Sequence, residues 1–214
     1  MIEFAAREHF IKICGVTTVQ DARAIADLGA SSVGLILSDS KRRVSIGTAA
    51  SIADEIRGTA LSTGVVRNEA SEFVIDAVTA TRVDAVQVHG PLRDDLLREL
   101  RQLPVLIIKA LGIADVEFFD FDESSVDAVL IDGPSPGSGE LHSWQAMEAR
   151  NFCVPVIAAG GLTADNVAEV ILSLRPWGVD VATGVEASPG VKDLTRVSDF
   201  IRTARQAFSE RGMQ

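Results

Sequence analysis

The sequence predicts an α/β protein of the (β/α)8 TIM-barrel class, one domain built on eight parallel strands. Three observations carry that expectation. Short β-rich apolar runs alternate with longer amphipathic stretches, eight times over. The runs are nearly continuous in apolar residues, as strands covered by helices on their outer face must be. At 214 residues the chain can bury a full core, yet it has little room for insertions beyond a barrel.

The elements read in order. Phe10–Cys14 is a strand and Thr18–Leu28 an amphipathic helix that stops at Gly29. Ser32–Leu37 is a strand, then Gly47–Arg57 a helix closed by Gly58. Leu61–Val66 and Ala70–Ala80 form the third pair, Val83–Val88 and Leu92–Leu103 the fourth. Val105–Ala110 is the fifth strand, followed by a weaker helical patch at Ala114–Phe119. Val126–Ile131 is the sixth, followed by a Gly/Pro/Ser loop and a short helix from Ser143. Pro155–Ala159 leads to the helix Ala164–Leu174, and Val179–Ala182 to the last helix, Leu194–Phe208. Residues 1–9 and 209–214 are expected to be flexible tails. The competing architecture, an open doubly wound sheet, usually carries a Gly-rich dinucleotide turn after its first strand. Cys14-Gly15-Val16-Thr17 is not such a turn.

Composition narrows the function. Thirty acidic residues against 20 basic ones give a net charge of −10, which argues against a nucleic-acid partner. Aromatic residues make up 5% and Tyr is absent, so a base-stacking platform is not expected either. No apolar run approaches a bilayer span, and MIEFAAREHF has no signal-peptide core, so a cytoplasmic protein without a membrane partner is expected. Cys14 and Cys153 fall at opposite ends of the predicted barrel, which predicts free thiols, with Cys153 structural. No Cys/His cluster has zinc spacing, so no metal is expected.

In this fold the chemistry sits where strands exit into the following loops. The exits hold Lys12 and Cys14, the loop Ser40-Lys41-Arg42-Arg43, Asn68, Gln87 and His89, Lys109, Asp132, Gly160-Gly161, and Asp180 with Thr183-Gly184. The last two glycine loops, Gly160-Gly161 and Thr183-Gly184, suit a phosphate, because glycine lets backbone N–H groups approach an anion. A GG pair alone is more often a simple turn. Cys14 and Asp132 are the candidate acid/base pair. Each has a bland alternative: Cys14 as a small buried hydrophobe, Asp132 as a turn former before Gly133-Pro134.

These exits resemble the phosphoribosylanthranilate isomerase family, the aldose–ketose isomerases of tryptophan biosynthesis. The likeness runs from Ile11 to Phe208 and is densest in KICGVT at 12–17, VQVHG at 86–90, AGGLT at 159–163 with Asp165-Asn166-Val167, and VDVATGVEASPGVKD at 179–193. The resemblance implies an Amadori rearrangement of the small-molecule substrate N-(5′-phosphoribosyl)anthranilate, without a cofactor. Asp132 would be the general acid that opens the ribose ring and Cys14 the general base that removes the C2′ proton. Arg42, whose alternative is an ordinary surface arginine, would pair with the anthranilate carboxylate. Gln87, His89 and Asp180 would contact substrate, and Gly160, Gly161, Thr183 and Gly184 would hold its phosphate. A monomer is expected. The chain departs from the family at Lys41, where Pro is usual, at Arg67, where a hydrophobic residue is usual, and in the short loop Gly133–Gly139 with His142-Ser143-Trp144. Two other readings stand beside this one: the related histidine-pathway sugar isomerase, or an enzyme doing both reactions, and a sugar-phosphate-binding barrel without catalysis. Cys14 speaks against the former, since that family places Asp at the first exit. The pair Cys14 and Asp132 speaks against the latter.

Overall fold

The computed structural model describes residues 9–113, 123–133 and 152–212. Eight parallel strands close into a barrel in sequence order. They are β1 (Phe10–Cys14), β2 (Ser32–Ile36), β3 (Leu61–Arg67), β4 (Ala85–His89), β5 (Leu106–Gly112), β6 (Ala128–Asp132), β7 (Val156–Ala159) and β8 (Gly178–Val181). Among the described residues the helices are α1 (Val19–Asp27), α2 (Ile46–Glu55), α3 (Ser71–Thr81), α4 (Asp94–Leu100), α5 (Val167–Leu174) and α6 (Leu194–Gly212). The helical patch at 114–119 and the helix expected from Ser143 lie outside the described residues.

Period-2 alternation divides every strand between two cores. On β1, Phe10 faces inward with Leu61, Ala85, Ile108, Ala128 and Ile157, while Ile11 and Ile13 face the helices. Phe10 plugs the floor of the barrel and stacks on Trp177, ring centroids 5.0 Å apart. The helices meet the outer face through residues at i, i+3 and i+4, such as Ala22, Ile25 and Ala26 on α1. Thr18 caps α1, its hydroxyl accepting from the Asp21 N–H at 3.0 Å. Ser45 does the same for α2 through Thr48. Gly29 and Gly58 follow α1 and α2 with φ of +90° and +84°, as the expected stop signals require.

Several boundaries move. β4 begins at Ala85 and β6 at Ala128, because Asp84 and Asp127 instead turn their carboxylates onto neighbouring backbone, at Ser62 N and Ile107 N. α4 is shortened to Asp94–Leu100 because Arg93 is still extended, with ψ of 152°. α5 starts at Val167, since Asn166 organises the residues before it. α6 runs on to Gly212, so residues 209–212 continue a helix whose end was expected at Phe208, and are not part of a tail. After β8 comes a small antiparallel pair that periodicity did not reveal, β9 (Glu186–Ser188) with β10 (Val191–Lys192).

Candidate active site at the mouth of the barrel

The inward alternation that buries Phe10 also aims Lys12 and Cys14 into the barrel. The same parity brings Gln87 and His89 inward on β4, Arg67 on β3, Asp132 on β6 and Asp180 on β8. At the C-terminal ends of the strands they open onto a cavity of about 550 Å³. Cys14, Arg42, Gln87, His89, Asp132, Gly160, Gly161, Asp180 and Thr183 all line it. Gly184 is set back, packed so closely on the carbonyl of Leu162 that a Cβ there would collide with it. Lys109 is not part of the wall. It pairs in register with Val88 on the helix-facing side, is buried, and donates to the Ala110 carbonyl at 2.6 Å.

Cys14 is buried beside a charged pair. Lys12 Nζ donates to Asp180 Oδ2 at 2.8 Å, with the lysine fully enclosed. Burial opposes the Lys12 charge, but Asp180 and Cys14 outweigh it, so its pKa lies above the ordinary value and it stays a cation. Burial pushes the Cys14 thiol up; Lys12 and Lys192 pull the other way, while Asp180 adds to the rise. Space for this cluster comes from Gly34 on β2, where a Cβ would stand 2.8 Å from Cys14 Sγ and 3.1 Å from Lys12 Cε. The second oxygen of Asp180, Oδ1, is buried without a partner among the described residues, and so is Gln87 Oε1. A ligand hydroxyl or amine would satisfy both.

Asp132 stands three strands from Cys14 around the ring, next to β7. Burial raises its pKa, the Asp180 charge raises it further, and Arg67 and Lys12 oppose the rise. The net effect favours a protonated carboxyl that can donate. Gly160 (φ +89°) packs against it: a Cβ there would lie 2.8 Å from Asp132 Oδ1 and 2.5 Å from Gly133 N. The glycine loop thus sets the place of the carboxyl.

The loop after β7 is held by Asn166, whose Oδ1 accepts from Thr163 N at 2.8 Å and whose Nδ2 donates to the Gly161 carbonyl at 3.0 Å. Thr183–Val185 forms one 3-10 turn just after β8. The two turns so meet at one side of the mouth, a placement suited to a phosphate.

Arg42 comes from the loop after β2, but it is already engaged. Its Nε and Nη2 donate to the two oxygens of Glu186 at 2.7 Å each. Lys192 on β10 donates to the same carboxylate at 3.0 Å and to the Ala182 carbonyl at 3.0 Å. Burial works against the Glu186 charge, yet Arg42 and Lys192 hold its pKa down at about 2. On the far rim Gln87 Nε2 lies 2.8 Å from His89 Nε2. Burial, with Arg67, Lys12 and Lys109 nearby, lowers the His89 pKa to about 3, so the imidazole is neutral and accepts from the amide.

The sequence model described as N-(5′-phosphoribosyl)anthranilate (PRA) isomerase matches residues 11–203. The chain belongs to that family. Within this isomerase family, the N-(5′-phosphoribosyl)anthranilate isomerase of Microcystis aeruginosa is 38% identical over 198 residues, covering 88% of this chain and 93% of its own. The crystal structure of the Thermotoga maritima phosphoribosyl anthranilate isomerase superposes with a TM-score of 0.80 at 32% identity, covering 92% of this chain and 99% of that one. Another phosphoribosyl anthranilate isomerase structure, in complex with reduced 1-(o-carboxyphenylamino)-1-deoxyribulose 5-phosphate, matches with a TM-score of 0.75 at 30% identity over 92% and 99% of the two chains.

Of the residues expected at the strand exits, Cys14, Arg42, Gln87, His89, Asp132, Gly160, Gly161, Asp180 and Thr183 gather at one mouth, with Gly184 just behind its wall, while Lys109 and Asn68 stand outside it. Three groups received no role from the sequence. Lys12 lies one inward position below Cys14, and strand parity alone could have placed it beside the thiol. Glu186 and Lys192 are brought to Arg42 by the β9–β10 turn, for which Ser188-Pro189-Gly190 was the available signal. Arg67 was noted only as a departure from the isomerase family. Cys14 and Cys153 form no disulfide with each other, and Cys153 is exposed just ahead of β7. Among the described residues no group of three or more His, Cys, Asp or Glu could hold a metal ion.

Proposed function

We propose that this cavity isomerises N-(5′-phosphoribosyl)anthranilate to 1-(2-carboxyphenylamino)-1-deoxyribulose 5-phosphate, the aldose–ketose step of tryptophan biosynthesis. Asp132 acts as acid and Cys14 as base. The observation that carries the reading is the pairing, across one cavity, of a carboxyl whose pKa is raised with a buried thiol beside a permanent ammonium.

The phosphate binds to the turns at Gly160, Gly161, Thr183 and Gly184, which places the ribose between Asp132 and Cys14. Asp132 gives its proton to the ring oxygen as the C1′–O bond breaks, and the anilino nitrogen supplies its lone pair to form an iminium. The cationic iminium acidifies the C2′ proton. The thiolate form of Cys14, a minority form that Lys12 favours, removes it and becomes the thiol, the C–H electrons move into a C1′=C2′ bond, and the resulting enolamine tautomerises to the 2′-ketone. Lys12 stabilises the thiolate and its own charge is balanced by Asp180, whose unpartnered Oδ1 is left for a substrate hydroxyl. Gln87 and the neutral His89 contact the substrate from β4. Arg42 offers the carboxylate the edge of its guanidinium that Glu186 leaves open.

The reading carries with it a monomeric cytoplasmic enzyme that needs no cofactor and no nucleic-acid partner. Among the described residues the exposed large apolar side chains are only Leu172, Val191 and Leu194, too few for an extensive apolar interface. No helix among them is long and apolar enough to cross a membrane.

The gene should restore growth without tryptophan to a host lacking this isomerase. Purified Cys14→Ala and Asp132→Asn proteins should keep the circular dichroism of the parent and lose activity by at least about 10²-fold each. Soluble parent protein that neither complements nor turns over substrate would overturn the assignment. Full activity in Asp132→Asn would remove that residue from the acid role.

A further inference from the structure

Two arginines reach the cavity wall, and they differ in how their charge is used. The Arg42 guanidinium is locked to Glu186 by two 2.7 Å bonds, and Lys192 shares the same carboxylate, so Arg42 is held in a three-member ion cluster. Arg67 ends β3 on its inward face. Its backbone N–H is tied to Ser38 Oγ at 2.8 Å, which fixes the strand end. Its guanidinium has no hydrogen bond or ion pair among the described residues, and the side chain is exposed to the cavity it lines. Its field nevertheless reaches the interior, where it helps to lower the pKa of His89 and opposes the rise at Asp132.

The ring order gives this cation a direction. In the closed barrel β3 lies four strands from β7 by either route, so Arg67 faces Gly160-Gly161 across the full width of the mouth. A substrate whose phosphate rests on the glycine turns, with C1′ and C2′ between Asp132 and Cys14, must send its aryl group toward the opposite rim. That rim is neutral at Gln87 and His89 and carries the Asp39 carboxylate; Arg42 is tied to Glu186, which leaves Arg67 as the cavity-lining guanidinium with no ion pair among the described residues.

We propose that Arg67 is a specificity-determining residue whose unpaired guanidinium receives the aromatic carboxylate at the end of the site remote from the phosphate. Arg42, oriented by Glu186, offers its open edge to the same carboxylate, and Arg67 adds the contact that makes the pocket selective for an anion. The inference rests on the isomerase reading and on a phosphate held at the glycine turns.

The test compares two substrates generated in place, N-(5′-phosphoribosyl)anthranilate and its carboxylate-free analogue N-(5′-phosphoribosyl)aniline, on the parent protein, Arg67→Met and Arg67→Lys. Arg67→Met should lower kcat/KM for the anthranilate compound by about 10- to 100-fold, mainly through KM, as loss of a charge-assisted contact does. The aniline analogue should change by less than about threefold, and Arg67→Lys should restore part of the selectivity. Calorimetry with the reduced 1-(o-carboxyphenylamino)- and 1-(phenylamino)-1-deoxyribulose 5-phosphates should show the same loss in affinity for the carboxylated compound alone. Selectivity unchanged in Arg67→Met, or an equal loss on both compounds, would overturn the role of Arg67 and leave the isomerase reading standing. A parent protein that turns over neither substrate would overturn the isomerase reading itself, and this inference with it.

Discussion

A single methyl group at position 34 would test how closely the base is held. Gly34 has no unusual backbone angle, so Ala fits its conformation, but the added Cβ would press on Sγ and on the Cα of Cys14 at 2.8 and 3.0 Å. Gly34→Ala should therefore cost about 1–3 kcal/mol of stability. It should lower kcat by about 10²-fold, since displacing a reacting atom by about an ångström has that effect. Urea denaturation and steady-state kinetics on one preparation separate the two. At the opposite rim His89 is a source of acid sensitivity. Its native pKa of about 3 lies below the ordinary 6.5, so the folded state resists a proton that the unfolded chain accepts. The stability contributed by neutral His89 is complete above about pH 6.5 and is lost progressively as the pH falls toward 3. His89→Gln, which cannot titrate, should show a shallower decline in urea midpoint between pH 6.5 and 4.5 than the parent. Equal slopes would mean that His89 titrates normally. At this scale the places of Cys14, Asp132 and Asp180 on the cavity wall were legible because they sit where apolar runs end at strand exits, whereas Arg42 was singled out from its polar loop only by the family resemblance. The pairing of Arg42 with Glu186 was not, since it joins residues 144 apart in sequence.

The elements were readable where one physical signal dominated. Parallel strands buried on both faces give apolar runs, and Gly29 and Gly58 mark helix ends because only glycine adopts positive φ without strain. The same rule failed to mark two other ends. Arg82 and Arg175 close α3 and α5 in the left-handed conformation, at φ of 53° and 49°, at a cost a glycine would avoid. Arg82 offsets part of this through an exposed ion pair to Asp54 at 2.6 Å, which has no sequence signature. The β9–β10 pair escaped notice for a different reason. It is too short to show alternation, and its stability comes from long-range ties. Thr17 Oγ1 donates to the Gly190 carbonyl at 2.7 Å, and Arg196 donates to the Glu186 carbonyl at 2.7 Å. These bonds join the loop after β1 and the start of α6 to the hairpin, so the carboxylate that orients Arg42 rests on three parts of the chain.

Across the molecule, closure of the ring is what turns a set of strand ends into a site. β8 pairs with β1 from Phe10 to Ile13, and Lys12 meets Asp180 across that seam, 168 residues away in sequence. For an acidic chain of net charge −10 to hold an anionic substrate as proposed, the glycine turns and Arg67 must act within a Debye length of it, about 8–10 Å at moderate salt. The seam also has a meaning in time. Until the eighth strand docks, Lys12 has no counter-charge and the wall beside Cys14 is missing. The β2–β3 and β4–β5 contacts, between neighbours in sequence, require no such wait. During refolding from urea, helical circular dichroism should accordingly return before thiolate reactivity and turnover. Catalytic competence would then report the last docking event, and this protein's own activity could serve as the clock for completion of its fold.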